Sequence, residues 1–355
     1  PNASIWFQFN TKWNGRFSNY YDPSYSAKRI IIDEFMRRVK KANVWVTSWL
    51  YDMPCDEYDT GDPCDGDYKE INIDFAADSI YKKILDASIV HPDLFYGMSI
   101  QTGRYFDSTT YGGNDRIREI SGSDLLYQTN LALMYGAKLI SPWLYFGEEN
   151  ATPEIREYTG FRNPPGYPET DKYLMLKNTI AQRLSGSMGK TLKNLTPLSQ
   201  HLNHQLNTSQ GFIQSIIVGN CTAEGMQSGN EAYDLGFFKD DLDRDYFMLI
   251  SRWYNPICSP SLTININPLS FPDNYNLKTV NLINNTSTTI TKYGNLSTAI
   301  EVGDACFFSV APVVKFGGSI TNNDTIKTNT SLIDNMTINN TKTIIINSEK
   351  EYTIQ

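Results

Sequence analysis

The stretch "DLLYQTNLALMYGAKLISPWLYFGEE", residues 124–149, decides how the first half of the chain is read. Leu125, Leu126, Leu131, Leu133 and Met134 recur at helical spacing and give its first half an apolar stripe. Gly136 stops that helix, because glycine takes the left-handed conformation that ends one. The apolar run that follows predicts a buried strand, ending in Trp143, Tyr145, Glu148 and Glu149. A buried strand that projects aromatics and carboxylates from its carboxyl end is the feature to explain.

Working outward, the same helix–strand step recurs. "ASIWFQFN" (3–10) is an extended run, and "SYSAKRIIIDEFMRRVKKA" (24–42) an amphipathic helix with a basic last turn, which suits the helix dipole. "NVWVTSWLYD" (43–52) is the next strand, "NIDFAADSIYKKILDASIV" (72–90) the next helix, and "DLFYGMSIQ" (93–101) the third strand. "SGSDLLYQTNLALMYG" (121–136) and "KLISPWLYF" (138–146) follow, then a closing helix over 171–195. Strands alternating with helices predict a parallel sheet, and near-continuous apolar strands predict burial on both faces. A doubly wound sheet fits this alternation equally, but no G-x-G-x-x-G follows the first strand. Asn10 and Trp13, Trp49 and Asp52, Gln101 and Arg104, and Trp143 and Glu148 instead cluster at carboxyl strand ends. That is the pattern of the active face of a (β/α)8 barrel.

Composition shifts near residue 205. Six short runs, from "GFIQSIIVG" to "ACFFSVAPVV", are separated by Pro, Asn and Gly turns and predict an antiparallel β-sandwich. After Gly318 come short Ile/Thr runs broken by Asn, read either as the first coils of a parallel β-helix or as an Asn/Thr-rich linker. The expected fold class is therefore α/β, a partial (β/α)8 barrel, plus a C-terminal all-β sandwich. The boundaries expected are 1–204, 205–317 and 318–355.

The 355 residues carry a net charge of −8, with 20% charged and 40% hydrophobic residues. No basic cluster offsets the acidity, which argues against nucleic acid and anionic membrane as partners. No apolar run reaches the roughly 18 residues of a membrane span. The chain starts at Pro1 without a recognisable signal peptide, as expected of a mature or partial chain. Two features point to an extracellular or cell-surface setting. One is the 13% aromatic content, a composition common in sugar-binding proteins and also in many cores. The other is Cys55 and Cys64, which bracket "CDEYDTGDPC" and could pair as a local disulfide or stay as thiols. Of Cys221, Cys258 and Cys306, at most two can pair with each other. N-x-S/T sequons recur, for example at Asn295 and Asn335; they track the Asn-rich composition and matter only in a eukaryotic secretory pathway.

Residues 1–200 resemble the second half of a glycoside-hydrolase-type barrel, similar to bacterial barrels related to family 42 β-galactosidases. "NVWVTSWLYDMP" matches the sixth strand, "INIDFAADSIYKKILDA" the helix after it, and "DLFYGMSIQTGRY" the seventh strand. "SDLLYQTNLALMYGAKLISPWLYF" carries the most specific match, to the helix and eighth strand. The tail resembles the strand repeats of secreted Bacteroidetes-like surface proteins. The resemblance implies an activity on glycans and a β-domain after the barrel. It also implies that the general acid, which follows the fourth strand in these barrels, lies in sequence upstream of this chain. Residues 3–10 would then pair with a missing N-terminal half-barrel or a neighbouring subunit, since an open strand edge is a liability. One departure is the seventh strand, which ends "SIQTGRY" without a carboxylate.

Glycoside hydrolysis generally uses two carboxyl groups, about 5–5.5 Å apart for retention and roughly 6.5–9.5 Å for inversion. Asp52 and Glu148 are the candidates, with an Asp loop cap and a loop charge as competing readings; Glu149 reads as solvated. Trp13, Trp49, Tyr51, Trp143 and Tyr145 offer flat faces for sugar stacking, or core. Asn10, Gln101 and Arg104 offer hydrogen bonds. The acidic loop 52–67 has the hard oxygen donors that suit Ca²⁺, without EF-hand spacing; as a solvated loop it needs no cofactor. "HLNH" places His201 and His204 three apart with no third ligand, so no zinc site is expected. The readings that follow are a secreted or surface glycoside-hydrolase-like protein that acts on or binds a glycan, and a catalytically inactive structural or adhesive surface protein.

Overall fold

Four strands line up in chain order in the computed structural model: β1 (Trp6–Asn10), β2 (Asn43–Thr47), β3 (Phe95–Gln101) and β6 (Leu139–Trp143). Each pair is parallel. The described residues are 6–10, 43–47, 81–82, 85–86, 89, 95–102, 105–107, 115–117, 120–143, 156–158, 169–204, 208–218, 233–251, 261–267, 270–271, 276–291, 294–313, 315–320, 324–326, 330–338, 344–346 and 352–354. The chain divides into two compact units. One holds Pro1–Lys193, Ile250–Asn255 and Val302–Asp304; the other holds Asn194–Leu249, Pro256–Glu301 and Ala305–Gln355.

In the first unit, helix α1 (Gly122–Met134) connects β3 to β6. Ser121 caps it: its Oγ accepts from Asp124 N at 3.1 Å, and Asp124 Oδ2 accepts from Ser121 N at 2.9 Å. The Asp171 carboxylate accepts from Gly122 N at 2.7 Å, adding negative charge at the positive end of the helix. Gly136, at φ 88°, ends the helix as its sequence position predicts. The apolar stripe is buried, but so is the other side, where Gln128, Thr129 and Asn130 have no access to water. Each finds an internal partner. Thr129 Oγ1 donates to Leu125 O at 2.9 Å, and Asn130 Nδ2 to Gly303 O at 3.0 Å. Burying them without partners would cost about 1–3 kcal/mol each.

The closing helix breaks where a continuous one was expected. It runs as α2 (Asp171–Met175), a π-helical turn (Leu176–Ile180), α3 (Ala181–Ser185) and α4 (Ser187–Leu192). Gly186 is extended there, and a Cβ on Gly189 would lie 1.9 Å from Leu184 O, so the tight step between α3 and α4 requires glycine. Two segments distant in sequence complete this unit. Gly303 N donates to Ser251 O at 3.2 Å, Ser251 N donates to Asp304 O at 2.9 Å, and the Arg183 guanidinium forks onto the Asp304 carboxylate.

The strands that follow are β8 (Thr196–His204), β9 (Ile213–Val218), β10 (Tyr233–Lys239), β11 (Asp245–Ser251), β12 (Ser261–Ile266), β13 (Asn276–Asn281), β14 (Thr286–Ile290), β15 (Asn295–Ala299) and β16 (Ala305–Val313). They form a sheet of order β14-β13-β16-β11-β10-β8 and a sheet of order β15-β12-β9. β12 is antiparallel to β9 and β15, and β13 to β14 and β16. The two sheets meet through aromatics. Phe212 packs edge-on against Phe237 (5.1 Å), Phe247 (5.9 Å) and Phe271 (5.6 Å), and Phe247 stacks on Phe308 at 5.4 Å. Phe238, Tyr246 and Phe307 form a second buried group, so β10 and β11 are covered on both faces.

Asp240 organises the turn between β10 and β11. It accepts from the backbone of Leu242 and Arg244, both at 3.0 Å, from Arg244 Nε at 2.6 Å and from the Tyr246 hydroxyl at 3.1 Å. Burial pushes its carboxyl up, but the bonds and charge of Arg244 outweigh this and hold it below its usual value.

Beyond β16, strands alternate between two parallel ladders. β17 (Lys315–Ile320), β19 (Thr330–Ile338) and β21 (Tyr352–Ile354) form one, and β18 (Asp324–Ile326) and β20 (Ile344–Ile346) the other. Among the described residues no helix is long and apolar enough to cross a membrane. Cys306 is buried on β16; Cys55, Cys64 and the acidic loop 52–67 lie outside the described residues.

Candidate functional site

The carboxyl edge of the parallel sheet is where the sequence places its candidates, and the register gives that edge its composition. Asn10 pairs with Thr47, Thr47 with Ser99, and Ser99 with Ser141. One row across all four strands is therefore Asn-Thr-Ser-Ser. Two residues on, Gln101 pairs with Trp143. The preceding row is Phe9, Val46, Met98 and Ile140, wholly apolar. Alternation sets adjacent rows on opposite faces of a sheet.

Which face is which follows from β3. Tyr96, Met98 and Ile100 are buried on one face. Burial first, then the neighbouring phenols of Tyr81 and Tyr135, push the Tyr96 hydroxyl well above its ordinary value. Tyr135 follows α1, and Tyr81 belongs to the helical residues between β2 and β3; their rings meet edge-on at 5.6 Å. Tyr96 thus faces the helical layer. Alternation along β3 sets Ser99 and Gln101 on its other face, where both are buried as well.

Gln101 is held by its backbone. Its N–H donates to Gln128 Oε1 at 3.0 Å, and its carbonyl accepts from Gln128 Nε2 at 3.2 Å. The ladder with β2 ends at Ser99, and the Gln128 amide takes up the backbone polar groups of Gln101, two residues further on. Replacing Gln128 with leucine removes both of these buried hydrogen bonds. The expected loss is about 3 kcal/mol in urea unfolding; a loss under about 1 kcal/mol would show that the backbone finds another partner.

The connections that leave β3 and β6 are joined to each other. β4 (Tyr105–Asp107) pairs antiparallel with β5 (Asp115–Ile117) and with β7 (Arg156–Tyr158). Position 107 lies opposite 115 and 156, an Asp between an Asp and an Arg, and position 106 opposite Arg116 and Glu157. A charged three-stranded sheet thereby ties together the two connections that leave the carboxyl edge.

Of the sequence candidates, the structure brings Asn10, Gln101 and Trp143 to this edge by register. Trp13, Trp49, Tyr51, Asp52, Arg104, Tyr145 and Glu148 lie outside the described residues. Thr47, Ser99, Ser141 and Gln128 were missed. The alternation in "MSIQ" and "ISPW" carried a signal for the two serines; nothing local marked Gln128. His201, half-buried on β8, meets the ring of Phe237 at 6.0 Å, and burial lowers its pKa. Among the described residues, no group of three His, Cys, Asp or Glu is placed to hold a metal ion.

No protein-family description matches the chain, and no curated protein does. Among solved structures it is similar to glycoside hydrolases. A family 27 β-L-arabinopyranosidase from Geobacillus stearothermophilus aligns at 7% identity and TM-score 0.32, over 83% of this chain and 63% of that one. A maltogenic α-amylase from Thermotoga neapolitana aligns at 9% and 0.33, over 85% and 60%. A family 51 arabinofuranosidase from Xanthomonas axonopodis pv. citri aligns at 8% and 0.36, over 86% and 66%. The chain thus spans less than two thirds of each of these proteins. The fold described above rests on its own ladders.

Proposed function

We propose that this protein acts on or binds a neutral glycan at the carboxyl edge of its parallel sheet. The observation that carries the reading is the register row Asn10–Thr47–Ser99–Ser141, with the Gln101–Trp143 pair just beyond it. Amide and hydroxyl groups exchange hydrogen bonds with sugar hydroxyls without demanding charge, and an indole offers a flat apolar face to a sugar ring. Asp52 and Glu148 follow β2 and β6 in sequence and are the carboxyl groups assigned to chemistry, as candidates for the ionised partner of a general acid. On this reading that general acid comes from sequence preceding residue 1, and β1 pairs with that sequence or with a neighbouring subunit. The setting proposed is extracellular or at a cell surface.

The test is turnover of a panel of aryl α- and β-glycosides of hexoses and pentoses. Asp52→Asn and Glu148→Gln are each expected to lower kcat by about 10²–10⁴-fold with circular dichroism unchanged. Equal turnover in both variants would remove these residues from the chemistry.

The alternating parallel ladders β17-β19-β21 and β18-β20 favour a second reading, a structural or adhesive surface protein with an inactive barrel-like unit. It predicts no turnover of any glycoside, together with self-association that is lost when residues 315–355 are removed.

A further inference from the structure

We propose that Asn284 is an N-glycan acceptor and that the β13–β14 turn is built to carry the sugar. Five sequon asparagines fall among the described residues: Asn194 (with Thr196), Asn284 (with Thr286), Asn285 (with Ser287), Asn295 (with Ser297) and Asn335 (with Thr337). Asn194, Asn284, Asn285 and Asn295 are exposed. Asn130 and Asn281, which are in no sequon, are buried; Asn178 and Asn276, also in no sequon, are exposed, so exposure alone does not single out an acceptor.

Asn284 stands out by geometry. β13 and β14 pair up to Asn281 opposite Thr286, leaving Leu282–Asn285 as the turn. Asn281 Oδ1 accepts from Ile283 N at 3.0 Å and starts the turn. Asn285 sits at φ 58°, a left-handed conformation that asparagine tolerates better than most residues. Asn284 Oδ1 accepts from Thr286 N at 3.1 Å and from Thr286 Oγ1 at 2.6 Å. The sequon's hydroxyl therefore engages the acceptor's own carbonyl oxygen. Among the described residues Asn284 Nδ2 makes no hydrogen bond, and residues 284–289 are all exposed. A sugar on Nδ2 displaces no internal contact.

The donor class is an oligosaccharide on a polyprenyl diphosphate, used by a membrane-bound transferase. The Asn284 Nδ2 forms a bond to the anomeric carbon as that carbon's bond to the diphosphate oxygen breaks. The lipid diphosphate leaves with the electron pair, and the amide nitrogen gives up one proton to a base of the transferase. Transfer requires passage of the chain through a eukaryotic secretory compartment.

The experiment directs the full chain, behind an added signal peptide, into the secretory pathway of a eukaryotic host. The secreted protein is then released from its glycans by peptide-N-glycosidase in ¹⁸O-water, and the labelled positions are read by mass spectrometry. Label is expected at position 284. Asn284→Gln and Thr286→Ala should each remove one glycan from the gel ladder, and Ser287→Ala, which destroys only the overlapping Asn285 sequon, should remove none. Because these positions are exposed, the melting temperature of each variant should stay within about 2 °C of the parent. Two results would overturn the proposal. One is a secreted, folded chain with no label at 284. The other is a glycosylated chain whose melting temperature rises by several degrees when its sugar is removed.

Discussion

Gly303→Ala is expected to destabilise the first unit by about 4 kcal/mol, which few single substitutions reach. Gly303 has φ +73°, where an L residue other than Asn or Asp loses about 1–2 kcal/mol. The larger effect is steric. A Cβ there would lie 2.2 Å from Ser123 O and 3.0 Å from Ser123 C, both backbone atoms of the α1 N-terminus. To relieve that contact the segment must lift away. Lifting breaks the 3.0 Å bond from Asn130 to Gly303 O and the 3.2 Å bond from Gly303 N to Ser251 O, and it strains the Arg183–Asp304 pair. Asn130 would then be a buried amide without its acceptor. For a unit of this size the fall in melting temperature is about 8–16 °C. Urea unfolding followed by the signal of α1 checks it, and a loss under about 1 kcal/mol would mean that Ser123 and Gly303 do not touch in solution.

Phe247→Ala should cost the second unit about 3–5 kcal/mol, the range for truncating a fully buried aromatic. Phe247 is 0% exposed. It stacks on Phe308 of β16 at 5.4 Å and meets Phe212, just before β9, edge-on at 5.9 Å. Its ring therefore spans from one sheet of the sandwich to the other. The cavity left by truncation has stiff aromatic walls that collapse poorly, which places the cost toward the upper end. Phe247→Leu keeps most of the volume and should cost less than half as much. Chemical denaturation of the three proteins tests this; equal losses would show that ring stacking, rather than cavity volume, sets the energy.

The parallel order of β1, β2, β3 and β6 was legible because each strand precedes a helical pattern, and Gly136 marks the turn between α1 and β6. The polar side of α1 was not legible. Gln128 and Asn130 are buried because their partners, Gln101 and Gly303, lie 27 and 173 residues away. β8 is not legible because "TPLSQHLNH" alternates poorly, nor is β10, because "YDLGFFK" is buried on both faces and has no period of two. The closing helix read as continuous because one glycine inside a helical pattern is common; the break shows only when Leu184 O meets the place of a Gly189 Cβ. At the site, aromatics and carboxylates draw attention in the sequence. The Asn-Thr-Ser-Ser row does not, since it exists only once register aligns four residues spread from position 10 to position 141.

Hydrogen–deuterium exchange of the full chain, with and without a panel of neutral hexose and pentose oligosaccharides, tests the assignment of the glycan site most directly. Binding at the carboxyl edge predicts slowed exchange in peptides covering residues 95–107 and 139–158, and none in peptides covering 261–299. Slowed exchange confined to 261–299, or unchanged exchange with every oligosaccharide, would contradict it.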